Sequence, residues 1–168
     1  MPPELSARPT TDFAREALFD ILSNRVDFGI IEVLDLFSGT GSISFEFASR
    51  GVNTVHLVEL NRNNISIIRQ NIRNLNIESI KTVRLDVRDF IKVCNHRYDI
   101  IFADPPYDLP WLEEIPGMVF SAGMLKEGGM LIIEHPGNIR FDKHPHFSEH
   151  RRYGKVNFSF FIHARTGS

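Results

Sequence analysis

One cysteine in 168 residues, Cys94, is too few for an internal disulfide or for a metal site built on several thiolates, and it points to a reducing compartment. Long apolar runs are missing as well. No stretch approaches the ~20 residues that a membrane-crossing helix needs, so no membrane partner is expected. The opening Met1-Pro2-Pro3-Glu4 is polar and lacks the charged-then-apolar pattern of a secretory leader, which favours a cytoplasmic protein. Net charge is scarce: 19 Lys/Arg against 21 Asp/Glu leave −2, which argues against strong sequence-independent nucleic-acid binding over the whole surface. His144, His146 and His150 fall in a proline-broken stretch without the spacing of ligands on a helix, so no metal is expected. No repeat, low-complexity linker or composition break divides the chain. It reads as one domain, 1–168, with 1–7 flexible.

What the chain does have is a succession of apolar runs, each ending on a usable polar group. Residues 30–36 read as a buried strand, Phe37-Ser38-Gly39-Thr40-Gly41 follows at once, and 42–50 continue in a helix-compatible pattern. Strand, glycine turn and helix form the ligand crevice of an open α/β sheet, where backbone must approach the ligand closely. The run 53–59 is a second strand ending on Glu59, twenty residues after Gly39, the offset at which an acid grips ribose hydroxyls. Ser44 stands where a dinucleotide fingerprint has its third glycine, so pyrophosphate is the less natural ligand. An adenosine ribose without phosphate fits better, and S-adenosylmethionine carries one. Its methionine portion would pass the glycine turn near Asp35, its ribose would meet Glu59, and its adenine amino group would meet Asp86, which ends a third strand at 80–85. Glu59 and Asp86 serve equally well as acids at the starts of the helices 61–74 and 87–93.

The fourth strand, Tyr98-Asp99-Ile100-Ile101-Phe102-Ala103, runs into Asp104-Pro105-Pro106-Tyr107. Two prolines forbid a continued ladder or helix, so the turn projects a carboxylate, a carbonyl and an aromatic ring beyond the strand end. Those groups suit a flat, weakly nucleophilic NH2. The carboxylate and carbonyl accept its hydrogens, and the ring stacks on the plane that bears it. A structural Asp-Pro turn with Tyr107 packed in the core is the plainer alternative.

Around these motifs, Thr11 caps a helix over 12–24, 109–124 form a loop and helix carrying Trp111, and Gly128-Gly129 turn into a strand at 130–134. The tail alternates as a hairpin, 146–152 and 156–164 about Tyr153-Gly154. Strands alternating with helices imply an α/β, doubly wound, mostly parallel sheet. With the closing antiparallel hairpin, the expected order of seven strands is 3-2-1-4-5-7-6.

These residues resemble the Rossmann-like, S-adenosylmethionine-dependent methyltransferases with an Asp/Asn-Pro-Pro-Tyr/Phe motif. More narrowly, they resemble the RsmD family, which methylates the exocyclic N2 of a guanine in 16S ribosomal RNA. The likeness rests on Arg8-Pro9-Thr10-Thr11-Asp12 with Arg15-Glu16-Ala17-Leu18-Phe19, on Asp35 to Gly41, on Glu59, Asp86 and Asp104-Pro105-Pro106-Tyr107, and on Arg152-Tyr153-Gly154-Lys155. The glycine- and basic-rich hairpin usual before the Arg-Pro-Thr segment does not precede Arg8 here. The resemblance implies catalysis by Asp104, Pro105 and Tyr107. It implies cofactor contacts from Thr11, Asp35, Phe37, Gly39, Gly41, Glu59, Leu60, Asp86, Val87 and Asp104. RNA contacts would come from Arg8, Tyr107, Arg151, Arg152 and Lys155, with 16S rRNA or an assembling small subunit as partner and a monomer as the working form.

The nearest rivals are methyltransferases of the same fold acting on adenine N6 or on a protein glutamine amide. About 22 residues between Tyr107 and Met130 are too few for the target-recognition domain usual in the DNA enzymes, and Asp104 stands where glutamine enzymes favour Asn. A nicotinamide-dependent oxidoreductase is disfavoured by Ser44 and by the Asp-Pro-Pro-Tyr turn. A non-catalytic RNA-binding relic of the fold would bind RNA without turnover.

Overall fold

Apolar strands that recur after each helix can bury both faces only by lining up in parallel between two helix layers, and that is the arrangement found. The computed structural model describes residues 3–166, with side chains from Asp12 onward. Helix α1 (Pro3–Ser23) is followed by β1 (Glu32–Leu36), α2 (Ser42–Ser49), β2 (Thr54–Val58), α3 (Arg62–Asn74), β3 (Ile80–Val83), α4 (Val87–Val93) and β4 (Tyr98–Ala103). A 3-10 turn (Leu112–Glu114) leads into α5 (Ile115–Ser121), and β5 (Leu125–His135), β6 (Phe147–Tyr153) and β7 (Val156–Ile162) close the chain. The sheet order is β3-β2-β1-β4-β5-β7-β6, the order expected. The first five strands are parallel, and β7 joins β5 and β6 antiparallel.

The period of two in each strand sorts side chains between two cores. Val33, Ile100, Phe102, Ile132, Phe158 and Phe160 face the layer of Leu18, Phe19 and Leu22 from α1, Phe47 from α2, and Ile65 and Ile68 from α3. Leu34, Leu36, Ile101, Ala103, Leu131 and Ile133 face the other, with Val87, Phe90 and Ile91 from α4 and Ile115 and Val119 from α5. Connections leave β1 toward β2 on one side and β4 toward β5 on the other. A crevice therefore opens between the carboxyl ends of β1 and β4, at the switch point of the winding.

Two expectations are corrected. Helix α1 runs through Thr11 rather than starting there, because Glu4, Leu5, Ala7 and Arg8 are good helix formers that extend it upstream. Of the segment 1–7 expected to be flexible, Pro3 onward lies in α1, and the contacts expected of Arg8 and Thr11 fall on side chains outside the described residues. Gly128-Gly129 do not precede β5 but lie inside it. Leu125 already pairs with Tyr98, and the register with β4 shifts between Tyr98 and Ile100. Gly129 is the residue this irregularity needs. A Cβ there would lie 2.9 Å from the Lys126 carbonyl, 3.0 Å from that of Asp99 and 3.1 Å from that of Tyr98.

Candidate active site

Four strand-end loops meet at one cavity of about 580 Å³, whose wall includes Gly39 after β1, Glu59 and Leu60 after β2, Asp86 and Val87 after β3, and Asp104 to Tyr107 after β4. The glycine turn is shaped by backbone rather than by side chains. Phe37 has φ 59, a left-handed value that an aromatic residue seldom adopts. Such strain concentrates at functional sites. Gly41 has φ 83 and is buried, and a Cβ on it would press within 3.3 Å of Ile68 and 3.4 Å of Phe45. Its role is to let α2 start against α3, and neither Gly41 nor Asp35 lines the cavity.

Glu59 ties two loops together. Its Oε1 accepts the Gly39 N–H at 2.8 Å, and its Oε2 accepts the Asn61 N–H at 3.0 Å and the Asn64 amide at 3.3 Å. Asp86 caps α4 by accepting the Arg88 N–H at 2.9 Å. Both acids thus do the structural work open to them in the sequence and also face the cavity, which makes the two uses compatible.

Asp35 and Ser44 form a closed pair beneath the turn. The Ser44 hydroxyl donates to Asp35 Oδ2 at 2.7 Å, and both residues are buried. Burial pushes the Asp35 carboxyl up to about 7, against the opposing pull of that hydroxyl. Ser44 therefore occupies the missing-glycine position as a donor to a buried acid.

Asp104 stands at the junction of strands. Its N–H donates to Leu36 O at 3.4 Å, joining the ends of β4 and β1. By surface area Asp104 is an exposed residue, its side chain opening to the cavity, although neighbouring protein displaces much of the water around its carboxyl. That desolvation pushes its pKa up from the usual carboxylate range, and the charges of Glu134 and Asp35 add to the effect. Pro105 is buried and fixes the turn, while Tyr107 is 45% exposed, which leaves much of its ring free to meet a ligand. The Tyr107 hydroxyl donates to Glu134 Oε2 at 3.0 Å, from the end of β5.

Three residues of the site escaped the sequence reading. Arg88 lies with its guanidinium 4.9 Å from the centroid of Trp111. Trp111, which the sequence placed only in a loop and helix, packs 5.8 Å from Phe37, and Phe37, Arg88 and Trp111 all border the cavity. Glu134 carried a readable signal: it is the last even-numbered position of a strand next to β4, in step with Asp104. Arg151, Arg152 and Lys155 sit apart from the cavity on the β6–β7 hairpin. Arg151 pairs with Glu149 at 2.7 Å and Arg152 donates to the Gly154 carbonyl at 2.9 Å.

The lining suits an adenosine-type ligand. The acids after β2 and β3 can accept from hydroxyls and an amino group, and Leu60, Val87, Leu85 and Trp111 supply apolar faces. The one arginine of the cavity wall among the described residues, Arg88, lies over the Trp111 ring after β3 rather than at the glycine turn. Comparison with known proteins agrees. A family model described as "Conserved hypothetical protein 95" matches residues 1–162. The chain is 30% identical over 132 residues to the Ribosomal RNA small subunit methyltransferase D of Buchnera aphidicola subsp. Baizongia pistaciae, covering 79% of this chain and 67% of that protein. It thus spans about two thirds of the length of that curated relative. Among solved structures, a hypothetical protein of Thermus thermophilus superposes with a TM-score of 0.80 at 29% identity, over 96% of this chain and 91% of its own. An Escherichia coli structure superposes with a TM-score of 0.83 at 24% identity, over 94% and 88%, and shares the fold. The strand-end loops, the Asp104-Pro105-Pro106-Tyr107 turn and these matches together make this chain a member of the family described as Conserved hypothetical protein 95, the RsmD-type family.

Proposed function

We propose that this chain transfers a methyl group from S-adenosylmethionine to the exocyclic N2 amine of a guanine in small-subunit ribosomal RNA. The observation that carries the reading is the shared cavity: the Asp104-Pro105-Pro106-Tyr107 turn opens on the same space as Gly39, Glu59 and Asp86. The relatives' names supply the substrate class.

When bound, the cofactor supplies an electrophilic sulfonium methyl, so the protein chiefly has to orient the amine. A guanine N2 lone pair is delocalised into the ring and attacks poorly. In this reading the Asp104 carboxylate and the Pro105 carbonyl hold the amine hydrogens and turn the lone pair outward. As the nitrogen gains positive charge, Asp104 stabilises it more than it did the neutral amine, which is the differential binding that speeds the step. Asp104 then takes the released proton. Tyr107 stacks on a base extruded from its helix, because an atom within the stack cannot reach the cavity. Glu59 and Asp86 hold the ribose and the adenine, flanked by Phe37, Gly39, Leu60 and Val87, with Asp35, Gly41 and Thr11 supporting the methionine end. Arg8, Arg151, Arg152 and Lys155 reach for RNA phosphates. The chain works as a monomer in the cytoplasm, on 16S rRNA or on an assembling subunit.

The test is radiolabelled methyl transfer to ribosomal RNA and to small-subunit particles from a strain lacking this protein, followed by mapping of the modified base. Label on a guanine N2 is the expected result. Label on adenine N6 or on a protein glutamine would replace the substrate assignment, and no transfer to any of them would overturn the activity.

A further inference from the structure

Beyond the cavity, on the α1 side of the sheet, lies a recess of about 60 Å³ that Asp104 also borders. Glu134 from β5 shares its wall, with Phe102, Phe158, Arg15 of α1 and Ser42 at the start of α2. The alternation of side chains explains the meeting. Ala103 pairs with Ile133 in the parallel ladder of β4 and β5, so the next residues, Asp104 and Glu134, leave the sheet side by side toward the same face. From the cavity side, Tyr107 reaches over and donates its hydroxyl to Glu134 at 3.0 Å.

We propose that Glu134 is a positioning residue of the reaction: it fixes the Tyr107 ring against the cavity wall through the phenol hydroxyl, and its carboxyl beside Asp104 sets the pH at which Asp104 is available to the amine. This rests on the methyl-transfer reading above. The groups facing Asp104 support it. Asp35 approaches from β1 and Glu134 from β5, both acidic; Tyr107 comes from its own loop; α2 offers only the neutral Ser42. Arg15 of α1 borders the recess, but its guanidinium is engaged by Asp12 at 3.1 Å. Two carboxyls side by side, with no ion pair to either among the described residues, do not both ionise freely, and they titrate as a unit. Burial acts on Glu134 in the same direction as on Asp104, and the Tyr107 hydroxyl partly opposes it. A proton on either carboxyl is therefore felt by the other.

Glu134→Gln separates the two roles. It keeps an acceptor for the Tyr107 hydroxyl and removes the neighbouring charge. Without that charge Asp104 ionises more readily, so the acidic limb of the kcat profile moves to lower pH by about one unit. Tyr107→Phe keeps the charge and loses the anchor. Its acidic limb moves less than that of Glu134→Gln, while kcat falls about tenfold. An acidic limb of Glu134→Gln superimposed on that of the unaltered protein overturns the proposal. A second measurement does not need activity: carboxyl 13C titration of the full chain, following Asp104 and Glu134. Interdependent, two-step curves in the unaltered protein, with the Asp104 midpoint lowered in Glu134→Gln, support the inference. Independent one-step curves overturn it, whether or not the variant folds. If the unaltered protein transfers no methyl group, the functional reading fails and the carboxyl titration alone decides the coupling.

Discussion

Glu59 Oε1 accepts the backbone N–H of Gly39 at 2.8 Å, closing a twenty-residue gap between the end of β2 and the turn after β1. The acid that would meet a ribose is thus also the strut that holds the glycine turn. Geometry of one wall of the cavity depends on the other.

Replacing Glu59 by Ala removes an acceptor shared by the Gly39 and Asn61 N–H groups and the Asn64 amide. Hydrogen bonds to charged groups contribute ~1.5–3 kcal/mol each, so S-adenosylhomocysteine affinity is expected to fall about ten- to hundredfold by calorimetry. Glu59→Gln keeps one acceptor and is expected to fall between the two. Unchanged affinity in Glu59→Ala would remove Glu59 from the binding site.

Asp104→Asn keeps the shape of the turn and part of its acceptor capacity but loses the negative charge. Cofactor affinity is expected to change by no more than about threefold, while kcat falls by ~10²–10⁴, the usual worth of positioned acid–base help. A variant methylating RNA at the original rate would show that Asp104 does not act on the amine.

Trp111 is the sole tryptophan of the chain and borders the cavity under the Arg88 guanidinium. Its emission is therefore expected to report ligand entry directly. S-adenosylhomocysteine should shift or quench the fluorescence, NAD should not, and Trp111→Phe should abolish the signal. Arg88→Ala, which removes a cation–π contact of ~0.5–1 kcal/mol, should weaken binding about two- to fivefold. Silent fluorescence at saturating ligand would place the indole away from the bound molecule.

Asp35 makes a pH prediction whose sign is fixed. Its carboxyl titrates near 7 in the fold against the ordinary 3.8, because burial disfavours the charge. The folded state thus binds this proton more tightly, and the stability it brings is fully present below pH ~4 and lost as pH rises through about 7. Asp35→Asn, which keeps an acceptor for the Ser44 hydroxyl, removes that slope. The difference in melting temperature between the two proteins should therefore change steadily from about pH 4 to about 7 and level off beyond, in Asp35→Asn's favour at the alkaline end. A constant difference would show that the acid is not held neutral.

Gly129→Ala carries a stability prediction. The new methyl would meet three backbone carbonyls at 2.9–3.1 Å, none of which can swing away as a side chain does. Overpacking of this kind costs ~1–3 kcal/mol, several degrees in thermal melting for a chain of this size. An unaltered melt would mean that the strand irregularity relaxes freely.

Local patterning made the strand ends legible. The run before Asp104 could be read as a strand from its apolar residues and the prolines that stop it, and β4 spans Tyr98–Ala103 as expected. The polar residues ending β1 to β4 could be aligned because parallel strands joined by helices must finish at one edge. What the sequence concealed depends on contacts between distant residues. Tyr107 and Glu134 are 27 apart, and their hydrogen bond follows from the β4–β5 register, which no local pattern states. Gly128-Gly129 looked like punctuation because glycine pairs usually mark turns, yet here tertiary crowding demands them inside a strand. Nothing adjacent to Arg88 in sequence reveals the Trp111 ring beneath it.

The irregularity at Gly129 also sets the phase of everything after it in β5. Odd and even positions there point to opposite sides of the sheet: Glu134 goes to the Asp104 recess, while His135 bonds to the Ser159 hydroxyl at 2.7 Å. Deleting Gly129 would draw each later residue back one place, putting the His135 imidazole where the acid stood and the Glu134 carboxylate in the apolar place of Ile133 beside Ala103. A residue with no side chain of its own thus decides whether an acid stands at the reaction edge.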